Sequence, residues 1–284
     1  MEMERQNYRF LIQYEGSRYS GWQKLSGKEQ TIQGKLENIL ERMTGEPVTV
    51  IGSGRTDAGV HAKGQVANAH LAVKLSEEEI LEYINEYLPE DIAVLEVTKV
   101  SDKFHSRHHA VEKCYLYRVS TAQVADVFKR RYVYAYQSGK KSGRILERDG
   151  ITAKEQKVVK KEKGVDLDLA AMRKAAGLLV GEHDFQGFCG RKIKKKSTVR
   201  NIYSIEIEEK QGEIRFYYRG NGFLFHMIRI ITGTLLEIGA GKRKPEDVER
   251  ILISRERQEA GETAPAKGLT LLWVSYDGDD GINR

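Results

Sequence analysis

The sequence has few of the features that mark membrane proteins, secreted proteins or metal-dependent proteins. Only two cysteines occur in 284 residues, Cys114 and Cys189, and no Cys-x-x-Cys pattern is present. This argues against a disulfide framework and against a thiolate metal site. No apolar run reaches the length that a membrane span needs. The first residues, Met-Glu-Met-Glu-Arg-Gln, lack the apolar segment of a signal peptide, so we expect a cytoplasmic protein.

Three histidines lie close together in the sequence, His105, His108 and His109. Histidines at short spacing can ligate a metal ion, but metal sites usually add a carboxylate or cysteine pattern. No such pattern accompanies these three. The sequence therefore favours the absence of a metal site.

The positive charge is concentrated in one segment. The net charge is +6 and the isoelectric point is near 9.0, which is compatible with a polyanionic partner without being diagnostic. Residues 138–164 hold many lysines and several glycines with weak periodicity, which predicts a surface insertion. Composition favours a solvated loop over an RNA contact there. A basic run at 191–196 is the second candidate for phosphate contact.

Residues 52–70 are the part of the chain least explicable as packing, and they begin with a glycine-rich loop. It separates a predicted strand at 47–51 from another at 65–69. Between its glycines lie one cation, Arg55, and one carboxylate, Asp57. A carboxylate presented on such a loop is a candidate nucleophile or general base. The alternative is a hairpin in which Thr56 and Asp57 cap a turn.

A second loop, residues 18–24, mixes aromatic, amide and cationic side chains. Such a loop can stack on bases and hold phosphates. The residues allow an equally simple alternative, an ordinary surface loop with Trp22 packed beneath it.

Periodicity and capping signals predict most of the regular structure. Helices are expected after Thr31, Ser76 and Asp168, and a strongly apolar helix is expected to contain Arg229, run through Ile230 and end at Gly239. Strands are expected at 8–14, 92–97, 115–119, 199–208 and 269–276. Arg229 lies inside the apolar helix, and a buried cation without a partner is costly, so we expect it to be paired.

The loop sequence Gly-Ser-Gly-Arg-Thr-Asp-Ala-Gly-Val-His-Ala, residues 52–62, resembles the active-site motif of the tRNA pseudouridine synthase A family. The stretches 181–188, 220–229 and 265–271 resemble further motifs of that family. Residues 14–23 do so as well, with Glu15 in place of the usual aspartate. The Asp-Thr/Ser-Gly loop of aspartic proteases does not match, because this chain reads Asp-Ala-Gly.

The resemblance implies a role for individual residues. Asp57 would be catalytic, Arg229 would pair with it, and Tyr115 would pack against the target base while Tyr117 remains structural. Arg55 would help to hold the base flipped out of the RNA, and Leu269 would line the pocket.

The resemblance covers nearly the whole chain except the insertion at about 138–164, where the family connection is shorter. It implies an α/β (α+β) fold of two similar domains, with mainly antiparallel sheets meeting at a central RNA-binding cleft. Residues 1–106 would form the domain that carries Asp57, and residues 107–284 the second domain.

The implied activity is isomerisation of uridine to pseudouridine at positions 38 to 40, in the anticodon stem-loop of tRNA. The implied enzyme is a homodimer that needs no cofactor. Two alternatives remain open: a paralogue with the same chemistry on another RNA, and a non-catalytic RNA-binding protein of the same fold.

Overall fold

The computed structural model describes residues 4–24, 30–136, 165–210 and 212–277, and it contains ten strands and five α-helices within those ranges. The helices are α1 (Ile32–Thr44), α2 (Glu77–Tyr87), α3 (Leu169–Gly177), α4 (Met227–Gly239) and α5 (Asp247–Ser254). The strands are β1 (Gln6–Tyr14), β2 (Ile51–Gly52), β3 (His61–Leu71), β4 (Ile92–Lys99), β5 (Ala110–Ser120), β6 (Tyr134–Ala135), β7 (Gly181–Asp184), β8 (Val199–Lys210), β9 (Glu213–Gly220) and β10 (Leu269–Tyr276).

All ten strands belong to one sheet with the order β4-β1-β3-β10-β5-β9-β8-β7, to which β2 and β6 add short pairings with β3 and β5. Most neighbours are antiparallel; β10 runs parallel to β3, and β6 parallel to β5. The expected α/β fold with mainly antiparallel strands is confirmed. The last strand, β10, lies between the strands of the first half and those of the second, so the two halves share one continuous sheet.

The helix starts predicted from capping residues are confirmed. Thr31 accepts a hydrogen bond from the Gly34 amide at the start of α1, and Asp168 accepts one from the Ala171 amide at the start of α3. Ser76 forms a complete capping box at the start of α2. These side chains satisfy amides that have no partner inside the helix, which fixes where each helix begins.

The sequence predictions were wrong about the bounds of two strands, and they missed two others. Residues 47–50 are not in a strand, and β2 contains only Ile51 and Gly52. β3 begins at His61, not at residue 65, because its first residues pair with β1 and β10. β7 and β9 were not predicted. The charged insertion predicted at 138–164 lies outside the described residues.

The face of the sheet that carries Tyr115 and Tyr117 is covered by α4. Nearly every residue of α4 is buried. Its Thr232 hydroxyl lies 2.8 Å from the hydroxyl of Tyr218, which is the β9 neighbour of Tyr115. This packing brings the N-terminal turn of α4 to the centre of the molecule. In the described part of the chain, no helix combines the length and the apolar character needed to cross a membrane.

Candidate active site

Asp57 lies on the turn between β2 and β3. The Val60 amide donates to the Asp57 carbonyl at 3.1 Å, and Gly59 has a φ of 78°, a backbone conformation that favours glycine. The Ser53 amide donates to the Val66 carbonyl at 2.7 Å, which joins the start of the loop to β3. The turn therefore leaves the Asp57 carboxylate accessible to solvent, with 19% of the side chain exposed.

The loop at 16–22 supports the back of this turn. The Trp22 amide donates to the Thr56 carbonyl at 3.1 Å, and the Gly59 amide donates to the Tyr19 carbonyl at 3.3 Å. Tyr19 and Trp22 are buried, and the indole of Trp22 packs against Gly52. Of the two interpretations of this loop, the structure shows the packed one, because neither ring presents a face for stacking on a base.

A buried polar network fixes the loop from below. The Tyr14 and Thr56 hydroxyls lie 2.8 Å apart. Gln65 donates to the Gly54 carbonyl at 3.1 Å and accepts from the Ser53 hydroxyl at 2.6 Å. Burial raises the pKa of Tyr14 to about 12, so its hydroxyl stays protonated. Each group in the network has a partner, which makes the position of the loop well defined.

Arg229 reaches Asp57 from α4. Its Nη1 lies 3.2 Å from Asp57 Oδ2, and its Nε donates to the Ala264 carbonyl at 2.7 Å. The arginine side chain is 14% exposed. The long-range ion pair expected between these two residues is confirmed.

His226 is a neighbour of Asp57 that the sequence analysis missed. Its Nε2 lies 3.5 Å from Asp57 Oδ2. Burial lowers the pKa of His226, while the charge of Asp57 raises it and the charges of Arg229 and Arg257 lower it further. A signal was present in the sequence: His226 and Arg229 are three residues apart at the start of a helix, a spacing that places side chains on one face.

Tyr115 is an aromatic side chain on the sheet beneath the Asp57 loop. It is 8% exposed, and its ring packs edge to face on Phe223 with centroids 5.4 Å apart. Burial raises its pKa, and the nearby Tyr14 and Asp57 raise it further, so the phenol stays protonated. Tyr117 is fully buried and donates to the Pro265 carbonyl at 2.7 Å. The prediction that Tyr117 is structural agrees with this position.

Leu269 begins β10 and is buried. Its partner across the strands is Tyr117, whereas Leu271 lies opposite Tyr115. Leu269 and Leu271 alternate onto the same face of the sheet as the two tyrosines. The structure therefore places Leu269 on the same face as Tyr115, one pair of residues away from it.

Several cations surround the mouth of the site. Arg55 is exposed, and burial together with the charges of Arg107 and Arg191 lowers its pKa. Arg191 begins the exposed basic run and lies over the ring of Phe225, 5.4 Å from the centroid. Lys113 donates to the Ser53 carbonyl at 2.7 Å, and burial lowers its pKa to about 8. A rim with this charge suits a phosphate backbone.

The histidines near residue 105 form part of the loop before β5. The rings of His105 and His108 lie 4.1 Å apart, and His109 Nδ1 accepts from the His105 amide. Across the described residues, no group of three or more His, Cys, Asp or Glu side chains is arranged to hold a metal ion.

The site thus combines a paired carboxylate, a buried aromatic ring and a cationic rim. A family model described as tRNA pseudouridine synthase matches residues 11–109 and 175–277 of the chain. The chain belongs to the tRNA pseudouridine synthase family. Both matched segments contribute to the site, the first through Asp57 and the second through Arg229.

Relatives in the tRNA pseudouridine synthase family match almost from end to end. The chain is 44% identical over 270 residues to tRNA pseudouridine synthase A of Bacillus sp. (strain KSM-64), covering 95% of this chain and 99% of the relative. It is 40% identical over 270 residues to tRNA pseudouridine synthase A 1 of Clostridium tetani, with the same coverage. It is 40% identical over 268 residues to tRNA pseudouridine synthase A of Brevibacillus brevis, covering 94% of this chain and 98% of the relative.

Proposed function

We propose that this protein is a tRNA pseudouridine synthase that isomerises uridines 38 to 40 in the anticodon stem-loop of tRNA. The observation that carries the proposal is the ion pair between Asp57 and Arg229, with Tyr115 near enough for the charge of Asp57 to raise the pKa of its phenol. The pair joins residues 172 positions apart in the chain. Family membership supports the same activity.

The reaction breaks the N1 glycosidic bond, rotates the uracil and forms a bond between C1′ and C5. The proton at C5 is lost, and N1 gains one. Asp57 acts at the sugar, either by attack on C1′ or by removal of the 2′ proton. A base in folded RNA must leave the stack to reach this carboxylate. The loss of stacking is then offset by contact with protein side chains.

Each neighbour of Asp57 has a separate role in this proposal. Arg229 pairs with the carboxylate and holds it in place. Tyr115 offers its ring to the uracil, and Leu269 completes the apolar wall. Arg55, on the exposed side of the same loop, holds the base in its flipped position.

We further propose that the enzyme acts as a cytoplasmic homodimer with tRNA as its partner and without a cofactor. The cationic rim of Arg55, Arg107 and Arg191 supports binding to a polyanion. Isomerisation involves no net redox change, so the chemistry does not require a redox group.

The substitution Asp57→Asn tests the assignment of the carboxylate. The amide keeps the size of the side chain but can neither attack C1′ nor accept the 2′ proton. We expect pseudouridine formation in tRNA to be lost and tRNA affinity to stay close to that of the parent. Asp102→Asn is a matched control, since Asp102 is exposed in a surface turn. Turnover by purified Asp57→Asn protein would show that another residue performs this step.

Mapping pseudouridine in RNA from a deletion strain tests the substrate. We expect the marks at 38 to 40 of tRNA to disappear. If the anticodon arm keeps its marks and another RNA loses one, the chemistry stands and the substrate is different. If no RNA changes and the purified protein only binds tRNA, the protein is a binding protein of the same fold.

A further inference from the structure

His226 is held in an uncommon backbone conformation next to Asp57. It is the N-cap residue of α4 with φ 61° and ψ 3°, and its side chain makes no capping hydrogen bond to the helix. A left-handed conformation is unfavourable for a residue with a side chain. Such strain persists only where surrounding contacts impose it, and it is concentrated at functional sites.

The surrounding contacts hold the imidazole in one place. Its ring stacks on Phe225 with centroids 3.7 Å apart and planes inclined by 24°. On another side it lies against Gly190, where an added Cβ would come within 2.8 Å of Nδ1. The Gly190 amide donates to the Phe225 carbonyl at 2.9 Å, which keeps these segments together. The imidazole therefore has little freedom to turn away from Asp57.

His226 and Arg229 contact the same oxygen of the carboxylate. The distances to Oδ2 are 3.5 Å from His226 Nε2 and 3.2 Å from Arg229 Nη1. Among the residues that the structure describes, no hydrogen bond to Oδ1 is found. Two groups that converge on one oxygen fix the rotation of the carboxylate and leave the other oxygen for a reacting atom.

We propose that His226 is a positioning residue for Asp57, which holds Oδ2 against Arg229 so that Oδ1 faces the ribose of the target uridine. This inference rests on the proposed function. In this role the imidazole is neutral and carries its proton on Nε2, the ring nitrogen that lies 3.5 Å from Oδ2. Arg229 supplies the charge, and His226 supplies the second point of contact that stops the carboxylate from rotating.

The protonation state of His226 then links activity to pH. The charged groups that face its ring are Asp57 on the loop, Arg229 on α4 and Arg257 in the segment after α5. Together with burial, the two arginines outweigh Asp57 and lower the pKa of His226 below the ordinary value of 6.5. The imidazole is neutral near pH 7. At lower pH its positive charge would draw electron density from Asp57 and slow the attack or the proton removal.

Two substitutions separate this role from a structural one. His226→Gly removes the imidazole and relieves the backbone strain, since glycine accepts a positive φ. His226→Gln keeps an N–H donor of similar reach that does not titrate in this range. His183→Gln is the control, because His183 is a histidine on the edge strand β7. The measurements are kcat, KM for tRNA and melting temperature for each protein, with kcat followed from acid to neutral pH.

For His226→Gly we expect a fall in kcat of about 100-fold at neutral pH, the scale of a displacement near 1 Å, with KM and melting temperature close to the parent. For His226→Gln we expect most of kcat to return and the acid limb of the pH profile to move to lower pH. The His183→Gln profile should match the parent.

Two results would overturn the inference while leaving the proposed function in place: an active parent whose kcat is unchanged in His226→Gly, or an acid limb that stays in place in His226→Gln. A parent protein that forms no pseudouridine in any tRNA would instead remove the proposed function itself.

Discussion

At the scale of single residues, Arg229 is notable because it binds two partners with different nitrogens. Nη1 pairs with Asp57 and Nε donates to the Ala264 carbonyl. Arg229→Lys keeps the charge but offers one nitrogen for both positions. We expect kcat to fall by about 10-fold or more, since the carboxylate loses its fixed orientation. The measurement is single-turnover pseudouridine formation at saturating enzyme.

The control for Arg229→Lys is Arg173→Lys. Arg173 also donates through Nε to a backbone carbonyl, that of Ile207, but it lies on α3 and is exposed. We expect its substitution to leave kcat unchanged. Equal activity of the two variants would contradict a special requirement for the guanidinium at position 229.

Gly190 leaves the space that the His226 ring fills. A methyl group there would lie 2.8 Å from Nδ1 and 3.1 Å from Cγ of His226, so the imidazole must shift. We expect Gly190→Ala to lower kcat by about 10-fold, because the shift moves a group in contact with Asp57. Gly177→Ala is the matched control, since its Cβ would meet no atom within 4 Å. Parent-like kcat in Gly190→Ala would show that the position of the imidazole does not matter.

Some residues of the site could be predicted from the sequence, and others could not. The pairing of Arg229 with Asp57 was predictable, because a cation inside an apolar helix requires a partner and the resemblance named it. Lys113 was missed although it alternates onto the same strand face as Tyr115. His226 could be placed on the helix face of Arg229, but its positive φ could not be predicted, because the packing of Phe225 and Gly190 produces it.

At the scale of elements, the loop at 16–22 acts as a support for the Asp57 loop. Gly21 has a φ of 99°, and a Cβ there would lie 2.7 Å from the Thr56 carbonyl oxygen. An alanine at position 21 would therefore have a strained backbone conformation. Its methyl group would also displace the carbonyl of Thr56, the residue before Asp57. We expect lower stability, by about 1–2 kcal/mol from the backbone alone, together with a loss of activity. Thermal unfolding and pseudouridine formation measure the two effects.

Gly45→Ala separates these two effects. Gly45 also has a positive φ, 75°, but a Cβ there would meet nothing within 4 Å. We expect a similar loss of stability without a loss of activity at a temperature where the protein is folded. If both variants lose activity equally, the contact between Gly21 and Thr56 has no part in positioning the loop.

Elements with strong local signals were predictable, and elements defined by their neighbours were not. The starts of α1, α2 and α3 follow from capping side chains, which act within one helical turn. β2 has two residues and β7 has four, and each exists because a longer strand lies beside it. Pairing of this kind depends on tertiary contacts that no short stretch of sequence contains.

At the scale of the whole molecule, the position of β10 couples the two halves. We still propose domains at 1–106 and 107–284, and Asp57 and Arg229 come from different ones. The strand from the end of the chain pairs with β3 at Thr270 and Leu271 and with β5 along most of its length. The resemblance predicted that the two halves meet. It is strand pairing that joins them in one shared sheet, and composition and periodicity do not specify this pairing.

His61 ties three distant parts of the molecule together. Its Nδ1 accepts from the Gly16 amide at 3.0 Å, and its Nε2 lies 2.8 Å from the Arg131 carbonyl and 3.2 Å from the Lys267 carbonyl. The ring is therefore neutral, with its proton on Nε2. Burial is the main cause that lowers its pKa below 6.5, against the opposing effects of Glu15 and the two carbonyls. Protonation would remove the acceptor for Gly16 and place a charge in the interior.

This arrangement predicts a loss of stability in mild acid. Below pH 6.5 the unfolded chain binds a proton at His61 that the folded chain does not, so the free energy of unfolding falls as the pH drops. One such group contributes at most about 1.4 kcal/mol per pH unit. We expect His61→Gln to have a shallower slope than the parent in urea unfolding between about pH 5 and pH 7. His70→Gln, at an exposed position on β3, should keep the parent slope. Parallel slopes for the parent and His61→Gln would mean that other titrating groups set the acid stability.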